Sequence, residues 1–212
     1  MSSARPFRVG VTIHPQQCTI QELRDAWRRV DALGVDSIWF WDHFFPLYGN
    51  PNGNHFECWS LLAAAAIDTR APQIGPMVTC VGYRNPDLLA SIAATVDQLS
   101  GGRLVFGLGA GWFERDYAEY GYEFGETRDR VRLLKEALPR IKRRIEKLRP
   151  GPAGPMPILN ADQAKNVIFM KRSMRPGFAG IDNELMYGPN TVMFFGDAKD
   201  SLTRLVSAVK AA

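Results

Sequence analysis

Val35-Asp36-Ser37-Ile38-Trp39-Phe40-Trp41-Asp42-His43 is the stretch on which the fold turns. Val35 to Trp41 is mostly apolar and β-prone, and it reads as a strand buried on both faces, as parallel strands beneath helices are. What precedes it agrees. Thr19-Ile20-Gln21-Glu22 fits the capping box that opens a helix. Leu23, Ala26, Trp27, Val30 and Leu33 follow at helical spacing until Gly34 stops the run. Phe7 to Ile13, further upstream, reads as a first strand.

The alternation continues downstream. His55 to Asp68 is an Ala-rich helix, and Gln73 to Cys80 a third strand. Asn85-Pro86 opens the next helix, with Asn as cap and Pro in the first helical position. Its inner face is Leu89, Ile92, Ala93, Val96 and Leu99. Ser100-Gly101-Gly102 breaks it, and Arg103 to Leu108 is a fourth strand. A long helix runs from Glu126 to Arg149 with Val131, Leu134, Leu138, Ile141, Ile145 and Leu148 inward, and Pro139 is expected to kink it. Met156 to Leu159 would be a fifth strand. Strands alternating with helices imply right-handed β/α units on a parallel sheet, with the functional site at the strands' carboxyl ends. The expected fold is α/β: a partial parallel β/α barrel of the TIM type, with about five β/α units.

Composition narrows the function classes. At 212 residues the chain can bury a core, but it is short of the roughly 250 typical of a complete eight-stranded β/α barrel. The net charge of +4 is concentrated in Arg140, Lys142, Arg143, Arg144, Lys147 and Arg149. Without interleaved aromatics this run reads as a solvated helix face, so no nucleic-acid partner is expected. The three cysteines, Cys18, Cys58 and Cys80, are odd in number and lack metal-ligand spacing. They argue for free thiols, no metal and a cytoplasmic setting. Met1 to Pro6 carries no apolar signal, and the longest apolar run, Trp59 to Ile67, is too short to span a bilayer.

The residues just after the strands carry the chemistry. They are Trp41-Asp42-His43-Phe44-Phe45-Pro46, then Thr79-Cys80-Val81-Gly82-Tyr83-Arg84-Asn85-Pro86, then Gly107-Leu108-Gly109-Ala110-Gly111-Trp112-Phe113. Together with Ser100-Gly101-Gly102-Arg103, they resemble the luciferase-like superfamily of flavin and deazaflavin oxidoreductases over residues 7 to 159. The resemblance implies hydride transfer or monooxygenation with the deazaflavin coenzyme F-420 or with flavin mononucleotide (FMN). It makes His43 the catalytic base or proton donor, a role suited to a side chain that titrates near neutral pH. It makes Asp42, Thr79, Cys80, Val81, Gly82, Gly109, Ala110, Gly111 and Trp112 cofactor contacts. A flat, mostly apolar ring wants apolar walls, for which Trp41, Phe44, Phe45 and Trp112 are candidates. The resemblance further implies a non-proline cis peptide at Thr79-Cys80-Val81 and a homodimer formed through early helices. The plainer reading of Asp42-His43 is a structural pair that holds the following loop. His14 and His55 read as loop and helix-start residues.

After Pro157-Ile158-Leu159 the text changes. Asn160 to Met174, Gly177-Phe178-Ala179-Gly180 and Phe195-Gly196-Asp197-Ala198-Lys199 resemble the end of the NADP-binding, Rossmann-like domain of the transhydrogenase beta subunit. This implies that Lys171, Arg172 and Ser173, after a strand at Val167 to Met170, grip the NADP 2′-phosphate. Gly177 and Gly180 would belong to a lid segment. Asp197 would sit in a contact loop and cap a last helix whose inner face is Leu202, Leu205, Val206 and Val209. That domain's glycine-rich pyrophosphate fingerprint and membrane helices are absent from this sequence. The expected division is residues 1–154 as the partial barrel and 155–212 as a Rossmann-like βα fragment, two fragments fused near Met156-Pro157-Ile158-Leu159. Three functions stay open: a luciferase-like oxidoreductase, an NADP-binding module, and a truncated, non-catalytic fusion fragment. The substrate cannot be read.

Overall fold

The computed structural model describes residues 8–148, 167–171, 173–174 and 184–211. The chain divides into two compact units, Met1–Leu159 and Asn160–Ala212. In the first, β1 (Gly10–Thr12), β2 (Ser37–Phe40) and β3 (Gln73–Pro76) pair in parallel in that order. β4 (Thr79–Cys80) pairs in parallel with β5 (Leu108–Gly109). The expected third strand is thus split. The break falls at Met77–Val78, whose peptide bond is cis, two residues before the position the resemblance implied. Most of the expected fourth strand is irregular, yet it runs alongside. The Ile74 amide donates to the Arg103 carbonyl at 3.0 Å, the Val105 amide to Ile74 at 2.8 Å, and the Thr79 amide to Gly107 at 2.9 Å.

Helices follow the strands as the pattern requires. α1 (Ile20–Ala32) opens on the Thr19–Glu22 capping box, and its inner Leu23 and Trp27 are buried. Leu33, expected inward, is exposed. α2 (Cys58–Asp68) starts later than expected because Glu57 is its cap, accepting from the Trp59 and Ser60 amides. The Trp27 indole donates to Asp68 at the end of α2, which also accepts from Arg24 and Arg28. α3 (Pro86–Leu99) is capped by Asn85 with Pro86 in its first turn. Leu89, Ala93 and Val96 are buried, and Leu99 at its end is exposed. A short helix that the sequence reading did not include, α4 (Glu114–Tyr120), precedes α5 (Thr127–Leu148). α5 continues through Pro139 as one helix. Ala137, Ile141 and Ile145 share one apolar core with Leu89, Ala90, Ala93 and Val96 of α3. The half-exposed Arg140–Asp87 pair at 2.5 Å joins the same helices, but such a pair is worth at most about 1 kcal/mol. One buried Ile outweighs it, at about 1.5–3 kcal/mol.

In the second unit, β6 (Val167–Lys171) pairs in parallel with β7 (Thr191–Phe195), and α6 (Ala198–Ala211) follows. A one-turn 3₁₀ helix spans Glu184–Tyr187. Leu202 and Val206, expected inward, are 54% and 43% exposed. The expected fifth strand, Met156 to Leu159, lies outside the described residues. Among those described, no helix is long and apolar enough to cross a membrane.

The Ser-Gly-Gly-Arg stretch has a local explanation. Arg103 donates to the carbonyls of Ala66, Thr69, Pro72 and Ser100 and to the Thr69 hydroxyl, at 2.7–3.0 Å. It thereby satisfies backbone acceptors that the end of α2 leaves open. Arg103→Ala strands them, and we expect a loss of about 2–4 kcal/mol. All 5 tryptophans lie at or before Trp112, so urea unfolding followed by tryptophan fluorescence reads this unit alone. An unchanged midpoint would refute the clamp.

Candidate functional site

Three segments leaving the strand ends converge on one cleft of about 210 Å³, lined by His43, Met77, Val78, Cys80, Tyr83, Gly109, Gly111 and Trp112. β2 leads to His43. The β3–β4 break supplies Met77 and Val78, and the 3₁₀ turn Val81–Tyr83 supplies Tyr83. β5 leads to the glycine loop and Trp112. The wall is largely apolar and open: Met77, Val78 and Trp112 are 49%, 45% and 39% exposed. The His43 ring meets Trp112 and Phe113 edge-on, with centroids 5.6 and 5.4 Å away.

His43 is held from behind by Asp116 of α4, a fully buried residue. Oδ2 lies 2.7 Å from His43 Nδ1 and accepts from the Tyr83 hydroxyl at 2.6 Å. Oδ1 accepts from the Phe44 and Phe45 amides at 3.1 and 3.2 Å. Burial, then the bond to Asp116, pushes the Tyr83 phenol far above its usual range, so it keeps its proton and donates. Tyr83 also lines a larger hollow of about 700 Å³, whose wall includes Trp59, Ser60 and Ala63 of α2 and Leu88 and Ile92 of α3.

Asp42 points elsewhere. Its buried carboxylate takes a two-pronged bond from Arg84 at 2.7 and 2.9 Å and a third from the Cys80 amide. Arg84 also donates to Glu57, the α2 cap, at 2.5 Å. Thr79 and Val81 are buried and, like Asp42, Gly82 and Ala110, do not line the cleft. Of the residues singled out in the sequence, His43, Cys80, Gly109, Gly111 and Trp112 do. Burial pushes the Cys80 thiol up to about 11 and keeps it neutral. Trp41, Phe44 and Phe45 are not walls of the cleft. Trp41 stacks on His14 at 4.3 Å, and Phe44 stacks on Tyr120 at 4.2 Å. Met77, Val78, Tyr83 and Asp116 were missed, although Tyr83 stands inside the Tyr-Arg-Asn-Pro motif.

The glycine loop is shaped from inside the protein. Gly111 has φ +83°, and a Cβ there would lie 2.2 Å from the Tyr117 hydroxyl and 2.5 Å from Cys80 Sγ. Arg130, buried and stacked 3.9 Å over Phe124, donates to the Gly111, Phe124 and Gly125 carbonyls and fixes the loop. In the second unit, Lys171 ends β6 half-buried, Ser173 is exposed, and exposed Asp197 precedes α6. The Ser201 amide donates to the Asp197 carbonyl at 2.9 Å. Arg172, Gly177 and Gly180 lie outside the described residues.

His55 accepts from the Trp41 indole through Nε2 at 3.0 Å. Burial first, then neighbouring His43, pulls its pKa down to about 4. The unfolded chain therefore binds a proton here that the folded chain refuses. The resulting stability is whole above pH ~6.5 and drains away as pH falls toward ~4. We expect the tryptophan-monitored urea midpoint to drop from pH 7 to pH 5, and His55→Gln to flatten that drop. An equal drop in the variant would count against this origin.

Residues 1–149 match the family model described as luciferase-like monooxygenase, and residues 146–208 match that of the NAD(P) transhydrogenase beta subunit. The F420-dependent glucose-6-phosphate dehydrogenase of Amycolatopsis mediterranei (strain U-32) is 33% identical over 64% of this chain and 41% of its own length. The NAD(P) transhydrogenase subunit beta of Rhodospirillum rubrum is 50% identical over 26% of this chain and 12% of its own. The chain therefore spans well under two thirds of either relative. Among solved structures, an F420-dependent secondary alcohol dehydrogenase in complex with an F420-acetone adduct superposes with a TM-score of 0.58 at 23% identity, over 77% of this chain and 52% of that one. The chain belongs to the luciferase-like monooxygenase family through its first 149 residues and joins to them a segment akin to the transhydrogenase beta subunit.

Proposed function

We propose that the chain is an oxidoreductase whose cleft seats the ring of a deazaflavin of the F-420 type, with FMN as the alternative. The observation that carries this is an exposed apolar seat, Met77, Val78 and Trp112, beside one histidine ring locked by a buried carboxylate. A flat, apolar redox ring would fit such a seat, held by Met77, Val78 and Trp112 with His43 as a polar contact. At about 210 Å³ the cleft is smaller than the roughly 300–1,000 Å³ of whole-ligand pockets, so it suits the ring and leaves the coenzyme's tail to be held elsewhere. When bound, the coenzyme supplies hydride chemistry. His43 holds or releases the accompanying proton, and Trp112 and Val78 keep water off the ring. The F420-dependent names of the sequence relatives favour the deazaflavin. Titration of the purified chain with coenzyme F-420 and with FMN, followed by fluorescence and absorbance, tests this. We expect saturable binding, tighter for F-420, weakened about 3–10-fold by Trp112→Ala. Uptake of neither coenzyme would end the reading.

A second reading concerns the other unit. Lys171 and Phe195 are register partners on parallel strands, so Lys171, Ser173 and Gly196-Asp197 leave from the same edge, ahead of α6. Carboxyl-end edges of this kind are where nucleotides bind in Rossmann-like units. We infer that this edge takes the 2′-phosphate of NADP, with Arg172 as a further cation. Calorimetric titration should give tighter binding of NADP than of NAD, with the preference lost in K171A. Equal or absent binding of both would overturn it.

A further inference from the structure

We propose that Asp116 is a positioning residue that fixes the tautomer of His43, with the proton on Nδ1 and the lone pair on Nε2 as the group presented to the cleft. The argument is one of matching donors and acceptors around a single buried side chain. A carboxylate only accepts, and all of its neighbours at hydrogen-bond distance must then donate. The Phe44 and Phe45 amides can do nothing else, and the Tyr83 hydroxyl donates to the same Oδ2 that faces His43. The 2.7 Å contact from His43 Nδ1 must therefore carry a proton. The neutral ring has only one, so Nε2 is bare.

The other polar groups around the ring do not change this. Cys80 bonds to the Tyr117 hydroxyl, Asp42 is taken by Arg84, and His55 accepts from Trp41 through the nitrogen that faces the indole. Behind the ring, Asp116 only accepts and Tyr83 holds its own proton, as does the neutral Cys80 thiol beside it, so a proton handled by His43 enters and leaves through Nε2. The inference rests on the reading of that cleft as the coenzyme's seat, and it tells which ring nitrogen faces the coenzyme.

The geometry yields an inverting substitution. In D116N the amide oxygen can still accept from the Phe44 and Phe45 amides. The amide nitrogen then offers one hydrogen to His43 Nδ1 and one to the Tyr83 oxygen, whose hydroxyl can rotate to accept. With the freed Tyr83 hydroxyl hydrogen turned to the neighbouring Cys80 sulfur, donors and acceptors match again, but only if His43 moves its proton to Nε2. Nitrogen-15 NMR of the full chain with labelled histidine, at a pH where His43 is neutral, reads the tautomer without any coenzyme. His43→Gln identifies the signal. We expect the Nδ1–H form in the wild type, the same form in Tyr83→Phe, and the Nε2–H form in D116N. A merely structural role for Asp116 would not move the proton. An Nε2–H wild type, or an unchanged tautomer in a folded D116N, would overturn the assignment. Should D116N fail to fold, the wild-type and Tyr83→Phe spectra still decide it. Coenzyme titration is separate: the expected tautomer in a chain that takes up neither coenzyme would support the assignment and sink only the reading of the cleft.

Discussion

One carboxylate gathers the working end of the first unit. Asp116 draws the Phe44 and Phe45 amides, the His43 ring and the Tyr83 hydroxyl onto its two oxygens, and so ties the segments after β2 and β4 to α4. Burying a charge costs several kcal/mol unless its hydrogen bonds are made, and here four are made. The converse constrains the rest: with any donor missing, the buried charge is under-compensated. The loop after β2, the 3₁₀ turn and α4 therefore hold their positions together. A histidine fixed in this way can only be addressed from the cleft.

Asp42, next along the chain from His43, shows how one strand end divides its labour. Its carboxylate faces Arg84 and, through Arg84, the Glu57 cap of α2. Asp42 and His43 thus point to opposite duties, although they stand together in the sequence. The first braces the frame and the second lines the cleft. Both lie past the end of β2 at Phe40, where each side chain is directed by its own buried partner, Arg84 for Asp42 and Asp116 for His43. The structural reading of the pair fits Asp42, while His43 is the member that lines the cleft.

Much of the frame was legible because its signals are local. The Thr19–Glu22 box, the Asn85-Pro86 start and the Gly34 stop each act within a few residues. The parallel pairing followed from the alternation of strands and helices. Asp116 was not legible. It is 73 residues from His43, and it sits on a helix of 7 residues whose cap, Phe113, makes no side-chain bond. Gly111 was expected as a cofactor contact. The structure gives its missing side chain to Tyr117 and Cys80, neither of which periodicity could place beside it. In the second unit β7 was passed over, and the inward face expected of α6 rested on spacing alone, which cannot say whether a partner layer covers it.

Tyr83 lines two hollows, the cleft that holds His43 and the wider one bounded by α2 and α3. Its ring hydroxyl is tied to Asp116, behind His43, by one hydrogen bond. A shift of α3 that tilts this ring is therefore transmitted to Asp116 in one bond and to His43 in two.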